Sequence, residues 1–226
     1  MARFEVLHEE GVRSVHITLA DEAIRAEAGA LCTLEGEVRI EAPLPGPRAY
    51  LRAVLSDEAV FRPRYFGTGA VTLESSLGGF HLLELAAGEE WILDKGSYWA
   101  SEESVELGVH REPSWTSFWA GQGFVDYRTR VRGPGKVVLA SSGPVQEVVL
   151  EKDRYWAQGP YVIARTPGLD YTLQRPTRSF LRSFTTRERL IRSYQGTGRL
   201  LVSSTPYWRK LVAERRLLDA APGDVA

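Results

Sequence analysis

A glycine-led segment that occurs three times constrains the fold of this chain most strongly. Its copies read Gly67-Thr-Gly-Ala-Val-Thr-Leu-Glu-Ser-Ser76, Gly133-Pro-Gly-Lys-Val-Val-Leu-Ala-Ser-Ser142 and Gly196-Thr-Gly-Arg-Leu-Leu-Val-Ser-Ser204. They begin 66 and 63 residues apart, which is long enough for a small subdomain rather than one turn of a solenoid. In each copy, glycines precede alternating apolar residues. This pattern predicts a turn followed by a half-buried strand.

Matches outside this segment extend the repeat. Trp91 corresponds to Trp156, and Ala100 corresponds to Ala164. Because a chain that starts and ends within a repeat can pair its last strand with its first unit, we expect one closed body of approximate threefold symmetry over residues 1–204. The expected units are residues 10–66, 67–132 and 133–196, followed by a closing strand at 196–204.

The spacing of apolar residues predicts an all-β fold with one terminal helix. Many short alternating runs are separated by glycine and proline, as in β-sandwiches. From Pro206 onward the apolar residues Leu211, Val212 and Leu218 follow a helical period, so residues 205–226 are expected to form a C-terminal helix and tail. The predicted architecture is therefore three pseudo-repeated β-sandwich units with a C-terminal helix.

Several local features are expected from the pattern. Glu10-Gly11 separates two alternating runs and predicts a hairpin, and Glu35-Gly36 predicts a second turn. Trp91 and Trp156 are interpreted as core residues of equivalent units. Cys32 lies in the apolar stretch Ala30-Leu-Cys-Thr-Leu34 and is expected to be buried.

The chain has nearly balanced charge, with 28 basic and 29 acidic residues, but the charge is unevenly distributed. A net charge this close to zero argues against a general nucleic-acid-binding protein. From residue 165 to the end, however, there are 12 basic and 5 acidic side chains. This basic region suits a salt-bridged contact between subunits, a solvated face or a polyanion contact.

Six arginines within this region form the candidate polyanion-binding segment. They alternate with aromatic residues such as Phe180 and Phe184, a combination that can bind RNA or an acidic neighbouring subunit. The six residues are Arg175, Arg178, Arg182, Arg187, Arg189 and Arg192.

No motif of cofactor, metal or catalytic chemistry stands out. The four histidines are scattered without His-x-His spacing, and the glycine pairs lack the further residues of dinucleotide or phosphate loops. No cofactor and no enzymatic activity are expected. The single cysteine suits a reducing compartment, and no apolar run approaches a membrane span, so a cytoplasmic location is expected.

Four segments together resemble the mitochondrial biogenesis family named for altered inheritance of mitochondria. The resemblance spans residues 20–204 and implies a β-sandwich like that of the tryptophan RNA-binding attenuator protein. It brings no catalytic residues and points to bacterial members of unknown function. The chain departs from the family pattern in its third lead-in turn, Thr185-Thr-Arg187, which lacks glycine, and in its basic third unit. The four segments are Ile24-Arg-Ala-Glu-Ala-Gly-Ala-Leu31 with Glu35-Gly-Glu-Val38, Gly67-Thr-Gly-Ala-Val-Thr-Leu73, Leu83-Glu-Leu-Ala-Ala-Gly-Glu89 and Lys95-Gly-Ser-Tyr-Trp-Ala-Ser101.

We therefore expect a non-enzymatic binding or assembly module that forms a homo-oligomer, because exposed strands in such units need covering. The alternative is an RNA-binding regulatory protein that uses the arginine-rich third unit. An enzyme whose site converges from separate units remains a third interpretation, without support from any local motif.

Overall fold

A computed structural model describes residues 2–42, 62–76, 78–112, 127–158, 161–174 and 191–203. These residues form fourteen β-strands, and no helix occurs among them. The strands are β1 Arg3–Glu9, β2 Val12–Ala26, β3 Leu31–Glu41, β4 Arg64–Ser76, β5 Gly79–Leu85, β6 Glu90–Leu93, β7 Tyr98–Glu102, β8 Glu106–Arg111, β9 Tyr127–Arg132, β10 Gly135–Ser141, β11 Val145–Gln158, β12 Val162–Arg165, β13 Leu169–Gln174 and β14 Ile191–Ser203.

The strands form two antiparallel sheets of seven strands each. The first sheet has the order β3-β4-β2-β7-β10-β5, with β1 added on β2. The second has the order β11-β14-β12-β6-β9-β8, with β13 added on β14. The all-β prediction is confirmed.

Three clusters of buried apolar side chains hold the sheets together. One lies within the first sheet around Ile17 and Val71, and another lies within the second sheet around Leu169 and Leu200. The third cluster joins the two sheets, because it packs Leu139 of the first sheet with Trp91 and Leu201 of the second. The connection between the sheets is therefore apolar.

The glycines of the repeated segment lie inside strands in two of its copies, so the prediction of a turn there is wrong. Gly67 and Gly69 belong to β4, and Gly196 belongs to β14. All three have positive φ angles, of 128°, 151° and 131°. A Cβ atom on Gly67 would overlap the carbonyl oxygen of Glu37 on β3. Glycine is therefore needed here for a close approach of two strands rather than for chain reversal.

The hairpin predicted at Glu10-Gly11 is confirmed, because β1 pairs with β2 around this turn. The turn predicted at Glu35-Gly36 is wrong, because β3 continues through it. Gly36 has a φ of 81°, and a Cβ atom there would lie 2.8 Å from the carbonyl oxygen of Thr68. The same close contact between β3 and β4 thus requires this glycine.

Two burial predictions are wrong, and both concern residues on edge strands. Cys32 is exposed, since β3 pairs on one side only, with β4, among the described residues. Trp156 is 59% exposed on β11, whereas its counterpart Trp91 is fully buried as predicted. A repeated residue type thus has different environments at different positions in the sheets.

The predicted C-terminal helix, residues 205–226, lies outside the described residues. Within the part of the chain that the structure describes, there is no helix of the length and apolarity needed to cross a membrane.

Candidate functional site

The edge strand β11 is the most exposed extended element of the second sheet. It spans 14 residues and pairs with β14, and no second partner occurs among the described strands. Val149 and Trp156 are 62% and 59% exposed. The guanidinium carbon of Arg154 lies 5.8 Å from the centroid of the Trp156 ring, within the range of a cation–π contact. Backbone groups and apolar side chains are therefore both available along this edge.

A bulge in β11 determines which side chains share a face. Leu150 pairs with Gly198 and Asp153 pairs with Gly196, so β11 has one residue more than β14 over this interval. Lys152, within the bulge, has a φ of 55°. Because the extra residue reverses the alternation, Val149 and Trp156 point to the same face although they are seven residues apart.

The opposite face of β11 is part of the core. Leu150 and Ala157 are buried in the cluster of the second sheet, and Val148 and Tyr155 pack against it. The strand is therefore anchored by one face, while Val149 and Trp156 on the other face are exposed and no described strand pairs with its outer edge.

Arg192 is the one residue of the predicted polyanion-binding segment that the structure describes. It lies on β14, and its Nη1 donates a hydrogen bond of 3.0 Å to Oδ2 of Asp94. Burial alone would lower the pKa of Arg192, but the carboxylate of Asp94 outweighs this effect and raises that pKa above its usual value. Its charge thus serves an internal ion pair. The remaining five residues, Arg175, Arg178, Arg182, Arg187 and Arg189, lie outside the described residues.

Asp94 and Arg192 belong to a buried cluster of charged side chains. Arg128 donates to the other oxygen of Asp94, so one carboxylate serves two guanidinium groups. Nearby, Arg165 donates from Nη2 to Oε1 of Glu112 at 2.5 Å and from Nη1 to the carbonyl oxygen of Leu169 at 2.9 Å. Buried charges of this kind persist only when they are paired and hydrogen bonded.

This cluster surrounds a cavity of about 20 Å³, which is close to the space of one water molecule. Arg165, Arg192, Tyr171 and Tyr194 line it together with the two carboxylates. Burial raises the pKa of both tyrosines, so both hydroxyl groups keep their protons at neutral pH. The cavity is small, and charged, phenolic and apolar side chains all line it.

His110 lies beside this cluster, with Nε2 3.9 Å from Oε2 of Glu112. Burial lowers the pKa of His110, although the Glu112 carboxylate acts in the opposite direction. The lowered pKa favours the neutral form of the imidazole.

A wider groove of about 660 Å³ runs along the first sheet, with an acidic rim. Arg64 on this rim donates to Glu103 at 2.6 Å and to Glu41 at 2.9 Å. The hydrogen bonds from Arg64 hold the pKa of Glu103 below its usual range. Among the described residues, no group of three or more His, Cys, Asp or Glu side chains is placed to hold a metal ion.

Sequence reasoning missed most of the buried cluster. Asp94, Glu112, Arg128 and Arg165 are distant from one another along the chain, and only the sheet order brings them together. One local signal was available, because Asp94 directly follows the buried run Trp91-Ile-Leu93, and Arg165 ends the buried strand β12. A charged residue at the end of a buried run indicates that a partner must lie nearby.

Comparisons with known proteins agree with this fold. A crystal structure of a protein from Streptococcus pyogenes superposes with a TM-score of 0.72 at 19% sequence identity, covering 96% of this chain and 100% of the other. No curated protein matches the sequence. The model of the family described as "Mitochondrial biogenesis AIM24" matches residues 4–205, and this description names a cellular process and no reaction. The match covers most of the chain and confirms the predicted resemblance, so the chain belongs to the Mitochondrial biogenesis AIM24 family.

Proposed function

We propose that this protein is a non-enzymatic binding and assembly module, and that it associates by pairing β11 with β11 of a second copy. The observation that carries the proposal is the 14-residue edge strand with exposed Val149 and Trp156. An unpaired edge of this length offers a row of backbone donors and acceptors to another strand. Large exposed apolar side chains on the same strand add contact area.

The bulge selects the register in which two copies match. In an antiparallel pair, side chains opposite each other point to the same face. A twofold axis at Asp153 places Trp156 opposite Val149 of the second copy and Tyr155 opposite Leu150. The exposed apolar residues then meet on one face, and the core-facing residues meet on the other.

Charges along the strand act in both directions in this register. Arg154 lies opposite the bulge of the second copy, which contains Glu151 and Lys152, so each Arg154 meets one opposite and one like charge. At the axis itself, Asp153 faces Asp153 of the second copy. Like charges directly opposite each other weaken a strand pair, so the contact at the axis is unfavourable.

The test is to measure self-association of the full chain by sedimentation equilibrium and native mass spectrometry. The wild-type protein is expected to form even multiples of the 25.2 kDa chain. Trp156→Ala should weaken association by about tenfold or more, because a cross-strand aromatic pair contributes roughly 1 kcal/mol at each of two symmetric positions. Asp153→Asn should strengthen it, because it removes the repulsion at the axis.

The matched control is Val109→Ala on β8, the opposite edge of the same sheet, where the valine is 54% exposed. It is expected to leave association unchanged, whereas Val149→Ala should weaken it. A wild-type chain that stays monomeric at all concentrations would contradict the proposal. If Val109→Ala and Val149→Ala weaken association equally, the proposal that β11 is the associating edge is contradicted.

The proposal includes the internal repeat, with units at residues 10–66, 67–132 and 133–196, a closing strand at 196–204 and a C-terminal helix at 205–226. What supports the repeat is that the three strands that contain or follow the repeated glycines, β4, β10 and β14, each have neighbouring strands on both sides. Gly67, Gly135 and Gly196 also have similar φ angles, between 128° and 139°. A cytoplasmic location is part of the proposal, supported by the single cysteine.

A further inference from the structure

The groove on the first sheet has an excess of negative charge. Four carboxylates and one guanidinium group line it. The guanidinium group belongs to Arg64, which already donates to Glu103 and to Glu41. The groove as a whole is therefore suited to a cationic ligand. The four lining carboxylates are those of Asp21, Glu22, Glu102 and Glu103.

Glu102 is the buried carboxylate of this groove, with 6% of the residue exposed. Its Oε2 accepts a hydrogen bond of 2.9 Å from the backbone nitrogen of Lys136. Its Oε1 is buried as well, and it has no hydrogen-bond partner in the described part of the chain. Buried carboxylate oxygens are normally hydrogen bonded, because an unpartnered oxygen loses its contact with water without compensation. A ligand in the groove can supply the missing donor.

A glycine keeps the space beside this carboxylate open. Gly135 also lines the groove, and a Cβ atom built on it would lie 3.1 Å from Oε2 of Glu102 and 2.6 Å from Oγ of Ser104. Any larger residue at position 135 would therefore fill the space between the carboxylate and the hydroxyl group. With glycine there, both polar groups border the same open space.

The groove is also too wide for a single small ion. Most of its lining residues belong to β4, β2, β7 and β10, which are neighbours in the first sheet. Neighbouring strands lie about 4.8 Å apart, so β4 and β10 are separated by roughly 14 Å. Apolar groups of Ala23, Phe66 and Pro134 line the groove together with the carboxylates. Since the described carboxylates and histidines form no metal-binding group, the groove suits an elongated cation with apolar parts.

We propose that this groove binds a linear aliphatic polyamine, with one ammonium group paired with the Glu102 carboxylate. A primary ammonium group has three N–H donors and no acceptor, so it can serve Glu102 and the Ser104 hydroxyl together. The other ammonium groups pair with the carboxylates at the rim, and the methylene chain contacts Phe66. This site lies in the first sheet, whereas β11 belongs to the second, so it is independent of the proposed assembly.

The first test is isothermal titration calorimetry of the full chain with spermidine. Saturable binding of one spermidine per chain is expected, and its affinity should fall as sodium chloride is added, because salt screens exposed charge pairs. Magnesium chloride should weaken binding no more than sodium chloride does at equal ionic strength. Stronger competition by magnesium would indicate a site for metal ions and overturn the proposal.

Variants connect the binding to the groove. Glu102→Gln keeps the size of the side chain and removes its charge, so the affinity for spermidine should fall by about tenfold or more. Glu74→Gln is the matched control, because Glu74 is exposed on β4 outside the groove, and it should bind spermidine as the wild type does. Asp21→Asn should weaken binding by about threefold, as expected for an exposed charge pair. Asparagine tolerates the φ of 62° at this position, so Asp21→Asn decides the question if Glu102→Gln does not fold.

Three further results would overturn the proposal. The first is a wild-type chain that binds no spermidine, and the second is an equal loss of affinity in Asp21→Asn and Glu74→Gln. The third concerns dilysine amide, which carries about the same positive charge as spermidine on a peptide backbone. If dilysine amide binds more tightly than spermidine, the groove recognises a basic protein segment and not a polyamine.

Discussion

Trp91 shows how single polar residues set the position of a core side chain. The indole is fully buried, and its Nε1 donates to Oε1 of Glu89 at 2.9 Å. The other oxygen of Glu89 accepts from the backbone nitrogen of Ala86, and Arg199 donates to Oε1 at 2.5 Å. The Arg199 guanidinium also lies 5.0 Å from the Trp91 ring centroid. One carboxylate therefore satisfies a buried donor and connects β6 with β14.

A pH-dependent stability follows from this carboxylate. Burial raises the pKa of Glu89, but the hydrogen bonds from Ala86, Trp91 and Arg199 outweigh burial and hold it below its ordinary value of 4.5. Because the folded-state pKa is lowered, the stabilisation is present above about pH 4.5 and is lost as the pH falls through the folded-state pKa. Glu89→Gln should lower the free energy of unfolding by about 1–2 kcal/mol at pH 7.

The measurement is chemical denaturation of wild type and Glu89→Gln between neutral and acidic pH. The difference between them should shrink as the pH falls below 4.5. Glu84→Gln, at an exposed position on β5, should parallel the wild type throughout. A difference between wild type and Glu89→Gln that is constant with pH would contradict the assignment.

At the scale of elements, glycines on both strands characterise the pairing of β3 with β4. Val38 pairs with Gly67 and Gly36 pairs with Gly69, so glycines occupy the crossing on both strands. This arrangement lets the backbones approach where side chains would separate them. Glycine is thus a requirement of the sheet here, despite its low intrinsic preference for strands.

Gly67→Ala is therefore expected to destabilise the fold by several kcal/mol, because the new Cβ overlaps Glu37 and the φ of 128° is unfavourable for alanine. Gly88→Ala is the matched control. Gly88 also has a positive φ, of 79°, but no atom lies within 4 Å of an added Cβ. Gly88→Ala should lower the free energy of unfolding by only about 1 kcal/mol.

Urea unfolding of both variants measures this difference. If the urea midpoint of Gly67→Ala lies as close to the wild-type midpoint as that of Gly88→Ala does, the prediction is contradicted. β3 and β4 could then separate without cost.

At the scale of the whole molecule, the basic C-terminal third distinguishes the assembly module from the RNA-binding alternative. Arg192 is held by Asp94, and the other arginines of the segment lie outside the described residues. If the protein is an assembly module, it should retain single-stranded RNA only weakly. Replacing Arg178, Arg182 and Arg189 together by alanine should then leave this retention unchanged. Filter binding over a range of salt concentrations measures the retained RNA.

The RNA-binding alternative predicts the opposite result. Affinity would be high at low salt, fall steeply as salt is added and be lost in the triple variant, because phosphate contacts release counterions. Such a result would contradict a pure assembly role and place the contact in the arginine segment.

The sequence by itself determined the local elements and the family. Alternation and turn residues predicted β1 and β2 around Glu10-Gly11 and the all-β class, because side-chain period and turn chemistry are local properties. The repeated residues also led to the family resemblance.

Only the tertiary structure decided what each repeated residue does. Trp91 is buried on β6, inside its sheet, and Trp156 is exposed on β11, at the edge and on the face away from the core. Likewise Asp94, Arg128 and Arg192 meet because the strand order brings distant residues together. Neighbours across a sheet are long-range contacts, and the period of one strand carries no information about which strand lies beside it.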